Sequence, residues 1–427
     1  MWTTEPSLNQ KHLTCPFCGL ACDDLSITPG DRGIESLDPK CDKAKQGFRL
    51  ALQAVSRGPR SNGAPVSMEV ALQQSVQLLK SARAPLFAGL ATDVNGMRAT
   101  LELADRCGGV LDHLNGDAMF RNIRVVQDNG WVACTLSEAR NRADLILIIG
   151  TQCFDRFPRF VDRVLLPRES LFSPKAGRHL VMLGPWQNNR LPATLKDYAP
   201  ITLHAHPSQW ADVAGMLRAR LGNRPVDSGR LGGQLAEGVE ELARLLREAK
   251  YSVITWSAAE LTFPHAELVI ERWAALARDL NQTTRSSVLP LAGNQGDITS
   301  NQVCTWQTGY PLRTSLQYGY PVHDSRLFRY QDLIENNTAD LLIWISSLDP
   351  EAKPPACDLP TIVFGHPGME LGQEVEVFLP VGVPGVDHTG HGYRSDTVCT
   401  LPLGQLIERG LPSAATLLRT LLDRLGD

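Results

Sequence analysis

The sequence predicts an α/β protein built from mostly parallel, doubly wound sheets. Short apolar runs rich in Val, Ile and Leu recur along the chain, as strands buried on both faces do, and helical patterns lie between many of them. Strands alternating with helices in this way build a parallel sheet covered on both sides. A third observation is an internal echo: Arg142-Ala143-Asp144 followed by the apolar run to Gly150 resembles Thr338-Ala339-Asp340 followed by the run to Ser346. Each is trailed by a second short strand ending in Gly, at 180–184 and 361–365. Two related mononucleotide-binding-like halves would explain the echo, with ligands expected at the carboxyl ends of the strands, and chance convergence of short buried strands is the alternative.

Taken in order, residues 1–60 hold Pro, Gly, Asp and Cys with little periodicity beyond Leu25 to Ile27. Such a segment buries little and needs a bound metal or the body of the protein to order it. A Gly- and Pro-rich stretch, Arg57 to Pro65, joins it to a helix over Val66–Ala82. Strands are expected over 85–89, 144–150, 180–184, 252–256, 287–291, 340–346, 361–365 and 375–379. Helices are expected over 96–107, 210–221, 234–250 and 265–280, with a closing helix over 413–425 after a loop-rich tail. This pattern predicts an N-terminal segment 1–60, a first Rossmann-like domain 61–230, a second 231–375 and a C-terminal segment 376–427.

Composition excludes several classes. Hydrophobic residues make up 43% and charged residues 21%, so disordered, collagen-like and coiled-coil readings fall away. The longest strong apolar run, Leu145 to Gly150, is far short of a membrane span. Met1-Trp2-Thr3-Thr4-Glu5 lacks the charged and apolar regions of a secretory signal, which predicts a cytoplasmic protein. Net charge is −4 with both signs well mixed, and no basic run is long enough to track phosphates, which argues against nucleic acid.

Of ten cysteines, six are scattered singly and four fall within the first 41 residues. Cys15-x2-Cys18-x3-Cys22-x18-Cys41 is the strongest signal in the chain. Three thiolates within eight residues wrap one face of a cubane and a distant fourth closes it, as in 4Fe–4S sites. A structural zinc also takes four thiolates. The expected metal ligands are therefore Cys15, Cys18, Cys22 and Cys41, for either centre.

The string Cys15-Pro16-Phe17-Cys18-Gly19-Leu20-Ala21-Cys22-Asp23-Asp24 resembles the start of the B subunit of formylmethanofuran dehydrogenase, in the molybdopterin and tungstopterin oxidoreductase superfamily. Pro290 to Gly293, Asn301, Thr305-Trp306-Gln307-Thr308-Gly309-Tyr310-Pro311 and Gly319-Tyr320-Pro321 resemble that family's most distinctive block. The segment Asp340 to Pro350 and the tail from Val377 to Arg394 fit as well, so the resemblance covers the whole length. It implies a formate-dehydrogenase-like arrangement, and a pterin-bound tungsten or molybdenum that reduces carbon dioxide with electrons delivered through the 4Fe–4S cluster.

The resemblance also implies a metal ligand, cysteine or selenocysteine followed by His, after a strand ending near an Asp. The corresponding stretch here, Gly109 to Arg121, carries Ala118 and Met119 and has no Cys-His pair; Cys107 and Cys134 lie off the matching position. A thioether or methyl group cannot replace a thiolate on a high-valent metal. The redox centre is thus expected to be lost, with no molybdenum or tungsten pterin. Where the family continues Asn-Pro after Gly150, this chain reads Thr151-Gln152-Cys153, and Arg285, which matches the family's active-site arginine, keeps no metal-bound charge to stabilise.

A relative of this type is the B subunit of the formyltransferase/hydrolase complex of aerobic methylotrophic bacteria, a complex that moves a formyl group from formyl-tetrahydromethanopterin to a methanofuran analogue and hydrolyses it to formate. The resemblance then implies a scaffold subunit in one-carbon metabolism whose partners are a formyltransferase, an amidohydrolase-like chain and a homologue of the C subunit. The alternative is an active tungsten or molybdenum formylmethanofuran dehydrogenase.

Other clusters invite simpler readings. His204-Ala205-His206 places two imidazoles on one face of a strand, but no third ligand has matching spacing. His388 and His391 sit in a family-like tail, where loop packing is expected. Trp306, Gln307, Tyr310 and Tyr320 are read as a rigid loop capping the sheet, and Asp23 and Asp24 as turn and cap groups.

Overall fold

The computed structural model describes residues 11–30, 33–53, 58–172, 177–186, 191–226 and 228–426. The reading of the first five residues lies outside them. The chain opens with β1 (Lys11–Leu13), β2 (Leu25–Gly30) and β3 (Gly33–Asp38), followed by α1 (Asp42–Ala51). Next come β4 (Arg60–Ser61), β5 (Ala64–Pro65), α2 (Met68–Ser81), β6 (Pro85–Ala91), α3 (Val94–Cys107) and β7 (Val110–Leu111). A central stretch holds α4 (Gly116–Asn129), α5 (Leu136–Arg142), β8 (Leu145–Ile149), α6 (Cys153–Arg156), β9 (His179–Leu183), α7 (Ala193–Tyr198) and β10 (Ile201–Leu203). It continues with α8 (Trp210–Leu221), α9 (Gly233–Glu248), β11 (Tyr251–Ser257), α10 (Ala266–Leu280) and β12 (Arg285–Leu291). The last third holds α11 (Asp297–Thr308), β13 (Thr314–Ser315), β14 (Val322–His323), α12 (Tyr330–Glu335), β15 (Leu341–Ser346), β16 (Thr361–Gly365) and β17 (Val377–Pro380). It ends in the hairpin β18 (Gly390–Tyr393) and β19 (Thr400–Leu403) and the helix α13 (Ala414–Gly426).

The mixed α/β class with parallel sheets is as expected; the grouping of the elements is not. In place of consecutive halves meeting at 230/231, residues 117–292 form one compact unit inserted into a second made of 1–116 and 293–427. The physical reason is strand pairing. β11 and β12 extend the sheet begun by β8, in the order β10-β9-β8-β11-β12, while β15 pairs with β6.

In the inserted unit all five strands run parallel. Every residue of β8 and of β11 is buried; β8 reads as a continuous apolar run, while β11 carries the hydroxyls of Ser252 and Thr255 hydrogen-bonded to β12. Trp210 of α8, Trp256 of β11 and Trp273 of α10 are among its largest buried side chains. The split unit carries a nine-stranded sheet, β14-β13-β7-β6-β15-β16-β17-β4-β5, whose core strands β7, β6, β15, β16 and β17 are parallel.

The echo has a structural basis. The carboxylate of Asp144 accepts from the backbone N–H groups of Lys250 and Tyr251, at 2.8 and 2.9 Å, at the start of the neighbouring β11. Asp340 does the same for Arg83 and Ala84, at 2.7 and 2.9 Å, just ahead of β6. β8 and β15 each also pair in parallel with the strand that follows them, β9 and β16.

Two expectations are corrected. The N-terminal segment is more ordered than its sequence suggests: β1–β3 form an antiparallel sheet and α1 buries Ala44, Phe48 and Ala51, with Phe17 edge-on to Phe48 at 4.9 Å. β3 is mostly exposed, so no apolar alternation marks it. The linker over 57–65 contains a hairpin, β4–β5, whose β4 pairs with β17. Among the described residues no helix is long and apolar enough to cross a membrane.

Candidate functional site

Cys15, Cys18 and Cys22 sit on the loop between β1 and β2, which close on each other at Leu13 and Leu25. The loop is pinned from within: Cys15 N–H donates to the Cys22 carbonyl at 2.9 Å and Ala21 N–H to the Cys18 carbonyl at 3.0 Å, with Ala21 at a left-handed φ of 44°. All three cysteines are buried, and Cys41 stands at the N-cap of α1. Burial pushes the Cys15 thiol well up, and the neighbouring Cys18, Cys22 and Cys41 press the same way. Burial also raises the Cys18 thiol, against the pull of the Lys43 ammonium. Among the described residues no three His, Cys, Asp or Glu side chains are drawn together tightly enough to hold a metal ion. In donor chemistry alone, the thiols of Cys15, Cys18 and Cys22 on the loop and of half-buried Cys41 at the start of α1 are of the soft type that an iron–sulfur cluster or zinc takes.

The loop is held close against 293–297. A Cβ at Gly293, which has φ 96°, would run into the Gly19 backbone. Lys43 Nζ donates to Asn294 Oδ1 at 2.5 Å. A cleft of about 380 Å³, counting space open to solvent, lies beside the cysteines and is lined by Cys15, Cys18, Thr92, Asp93 and Tyr393 among others. Thr92 follows β6, and its buried hydroxyl has no hydrogen-bond partner.

Behind this cleft lies a buried polar knot. Arg313 Nε faces both Asp112 oxygens at 3.4 and 3.3 Å, with the pair almost fully buried. Asp112 also accepts from His113 N–H and Tyr330 N–H, each at 2.9 Å, yet burial outweighs these partners and raises it to about 6. Asp297, at the start of α11, accepts from Gly293 N–H at 2.7 Å and is raised by burial to about 7. His113 accepts at Nδ1 from Asn115 N–H at 2.9 Å and faces the Gln295 carbonyl with Nε2 at 3.2 Å. Burial lowers it to about 3, and His366, after β16, to about 4.

An imidazole held below its ordinary 6.5 contributes stability that is fully present above 6.5 and lost as the pH falls through the folded value. His113 and His366 are therefore expected to remain neutral at pH 5. An NMR titration of their ring protons checks this, and an inflection near 6.5 for either would contradict it.

In the inserted unit the strand order β10-β9-β8-β11-β12 reverses direction between β8 and β11, the position at which doubly wound folds bind ligands. Here that position is filled by the chain itself. Glu260, in the turn after β11, accepts from Thr151 N–H at 2.6 Å, Thr151 Oγ1 at 3.1 Å and Gln152 N–H at 3.0 Å. Gly150, at φ 93°, leaves no room for a side chain against that carboxylate.

The remaining sequence candidates do not converge on either place. Ala118 and Met119 lie in the first turn of α4, a helix where the resemblance implied a loop, and Met119 is buried. Arg285 is exposed at the amino end of β12, over the Tyr251 ring at 5.5 Å, away from the carboxyl ends of the strands. His204 is exposed, and His206 caps the turn over 207–209 by accepting from Ser208 N–H at 3.4 Å. His388 faces the carbonyls of Thr389 and Gly382 at 2.8 and 3.3 Å, in keeping with loop packing. Glu260, Asp297 and the Asp112–Arg313 pair are absent from the sequence reading. Each acts through contacts more than 100 residues apart or through an irregular turn, and neither leaves a periodic trace.

A five-stranded parallel sheet in the inserted unit and a second, largely parallel sheet assembled from both ends of the chain define the class, an α/β protein of two units. The comparisons with known proteins agree in detail. The chain is 30% identical over 332 residues to the B subunit of the formyltransferase/hydrolase complex Fhc of Methylorubrum extorquens, covering 76% of this chain and 84% of that protein. It is 26% identical over 404 residues to the B subunit of tungsten-containing formylmethanofuran dehydrogenase 2 of Methanocaldococcus jannaschii, covering 91% and 92%. A chain in the crystal structure of the M. extorquens complex FhcABCD with methylofuran matches with a TM-score of 0.72 and 27% identity, over 86% of this chain and 98% of that one. No protein-family model matches. The chain belongs to the B-subunit family shared by formylmethanofuran dehydrogenases and formyltransferase/hydrolase complexes.

Proposed function

We propose that this chain is the B subunit of a formyltransferase/hydrolase complex of one-carbon metabolism, a scaffold of formate-dehydrogenase-like descent whose partners, a formyltransferase, an amidohydrolase-like chain and a homologue of the C subunit, carry the chemistry. The observation that carries the reading is the pair Ala118 and Met119, standing in α4 at the position where the family's metal-ligating cysteine and histidine are expected. Glu260 supports it, because a carboxylate already satisfies the backbone donors that a dinucleotide's phosphate would use at the β8–β11 crevice. Cys15, Cys18, Cys22 and Cys41 would hold a 4Fe–4S cluster or a zinc ion. With no redox centre beside it, such a centre braces the N-terminal segment rather than passing electrons.

Purification of the intact complex with metal analysis tests this. Expected are the three partner subunits, tungsten and molybdenum well below one per chain, and about four irons or one zinc that Cys41→Ser removes. Stoichiometric tungsten or molybdenum would establish the alternative, an active formylmethanofuran dehydrogenase subunit.

A further inference from the structure

Trp306, Tyr310, Tyr318 and Tyr320 are 44–66% exposed, and every exposed Trp and Tyr among the described residues is one of these. The sequence predicts Trp306, Tyr310 and Tyr320 in a rigid loop capping the sheet; the structure turns their rings, and that of Tyr318, to the surface. They stand at the C-terminal end of α11 and on the hairpin β13–β14, and β14 is the outermost strand at that edge of the nine-stranded sheet. The segment is prearranged: Tyr310 stacks on His323 at 6.0 Å and Tyr318 on Tyr320 at 6.1 Å. Tyr310 N–H donates to Thr308 Oγ1 at 3.1 Å, while β13 pairs with β7 on one side and β14 on the other. Little ordering remains to be done on binding.

The stretch of chain that carries the four aromatics is also almost without charge. From 302 to 323 the only Lys, Arg, Asp or Glu is Arg313, and it is buried against Asp112. A nucleic acid or an anionic membrane surface would call for exposed cations here, which this stretch lacks. Charge depletion combined with Tyr and Trp enrichment is the signature of the desolvated centre of a protein–protein interface. We infer that this aromatic edge is the docking surface for another subunit of the same hetero-oligomeric complex, one presenting an uncharged face with acceptors for the tyrosine hydroxyls and the Trp306 N–H. The choice of a different subunit over a second copy rests on the proposed membership in a complex, as the structural match is to a chain of a four-subunit assembly.

The test co-expresses the full-length chain with the three partner subunits, comparing wild type, Tyr318→Glu/Tyr320→Glu, Trp306→Glu and the conservative Tyr318→Phe/Tyr320→Phe. Recovery of partners on the tagged chain is read beside the melting temperature of the chain alone. The glutamate variants are expected to lose tenfold or more of one partner with unchanged melting, and the phenylalanine variant to retain it. Full assembly of both glutamate variants overturns the inference and leaves the proposed membership in the complex intact. Wild-type dimers that the glutamate variants abolish also overturn it, in favour of self-association. A wild-type chain that recovers no partner overturns both.

Discussion

Arg313→Ala is expected to be among the most damaging single substitutions in the chain, costing about 3–5 kcal/mol, because removing one partner of a buried ion pair strands the other. Asp112 would keep only the N–H groups of His113 and Tyr330, in a site where burial already raises it to about 6 against the full influence of Arg313. The Ser325 carbonyl, which accepts from Arg313 Nη1 at 2.6 Å, would lose its partner as well. The damage should depend on pH in a definite direction. A carboxyl raised on folding contributes stability that is present at low pH and lost as the pH rises through its folded value, and without Arg313 the Asp112 carboxyl rises further. The variant is therefore expected to lie closer to wild type at pH 5 than at pH 8. Thermal melting at the two pH values checks this, with a shift on the order of 10 °C expected at pH 8. A loss below 1 kcal/mol, or one larger at pH 5, would contradict it.

Glu260→Ala is expected to cost about 2–3 kcal/mol, since it strips a charged acceptor from the N–H groups of Thr151 and Gln152 and from the Thr151 hydroxyl. The loss should be recoverable. Inorganic phosphate or acetate can enter the space the carboxylate leaves, and an anion that binds only the folded state stabilises it by mass action, about 2.7 kcal/mol at a hundred times its Kd. Melting the variant in phosphate and in chloride of equal ionic strength is expected to show a phosphate-specific rise that wild type lacks. Equal shifts in both proteins would mean that Glu260 does not fill an anion position. Glu260→Gln, which keeps an acceptor without the charge, should fall between the two.

Periodicity made the buried parallel strands legible, because β6, β8, β15 and β16 are buried on both faces and apolar along nearly their whole length, and β11 is broken only by hydroxyl residues. Helices with one buried stripe, such as α8 and α10, were legible to within a residue or so for the same reason. Two-residue strands such as β7, β13 and β14 leave no period to detect. α4 begins at Gly116 after Asn115, and Asn, Asp and Arg interrupt its apolar stripe. The cysteine loop was legible because its donors are close in sequence. The polar knot was not, as Asp112 and Arg313 lie 201 residues apart, and neither residue type announces burial. The domain order misled for a related reason: strand pairing obeys space, and nothing in a run of Val, Ile and Leu says which sheet it joins.

The insertion of residues 117–292 between two parts of one unit bears on how the chain is made. β6 is synthesised early but its parallel neighbour β15 begins 250 residues later, with Leu341 paired to Pro85 across the sheet. The inserted unit has its whole five-stranded sheet within one continuous stretch and can complete while the ribosome is still translating. The nine-stranded sheet cannot close until β15, β16 and β17 have emerged, and until then β6 pairs with β7 and leaves its other edge open. Translation arrest after residue 292 would therefore leave a nascent chain with the strands of one unit all made and the central sheet of the other lacking β15, β16 and β17, a natural client for chaperones that hold apolar segments.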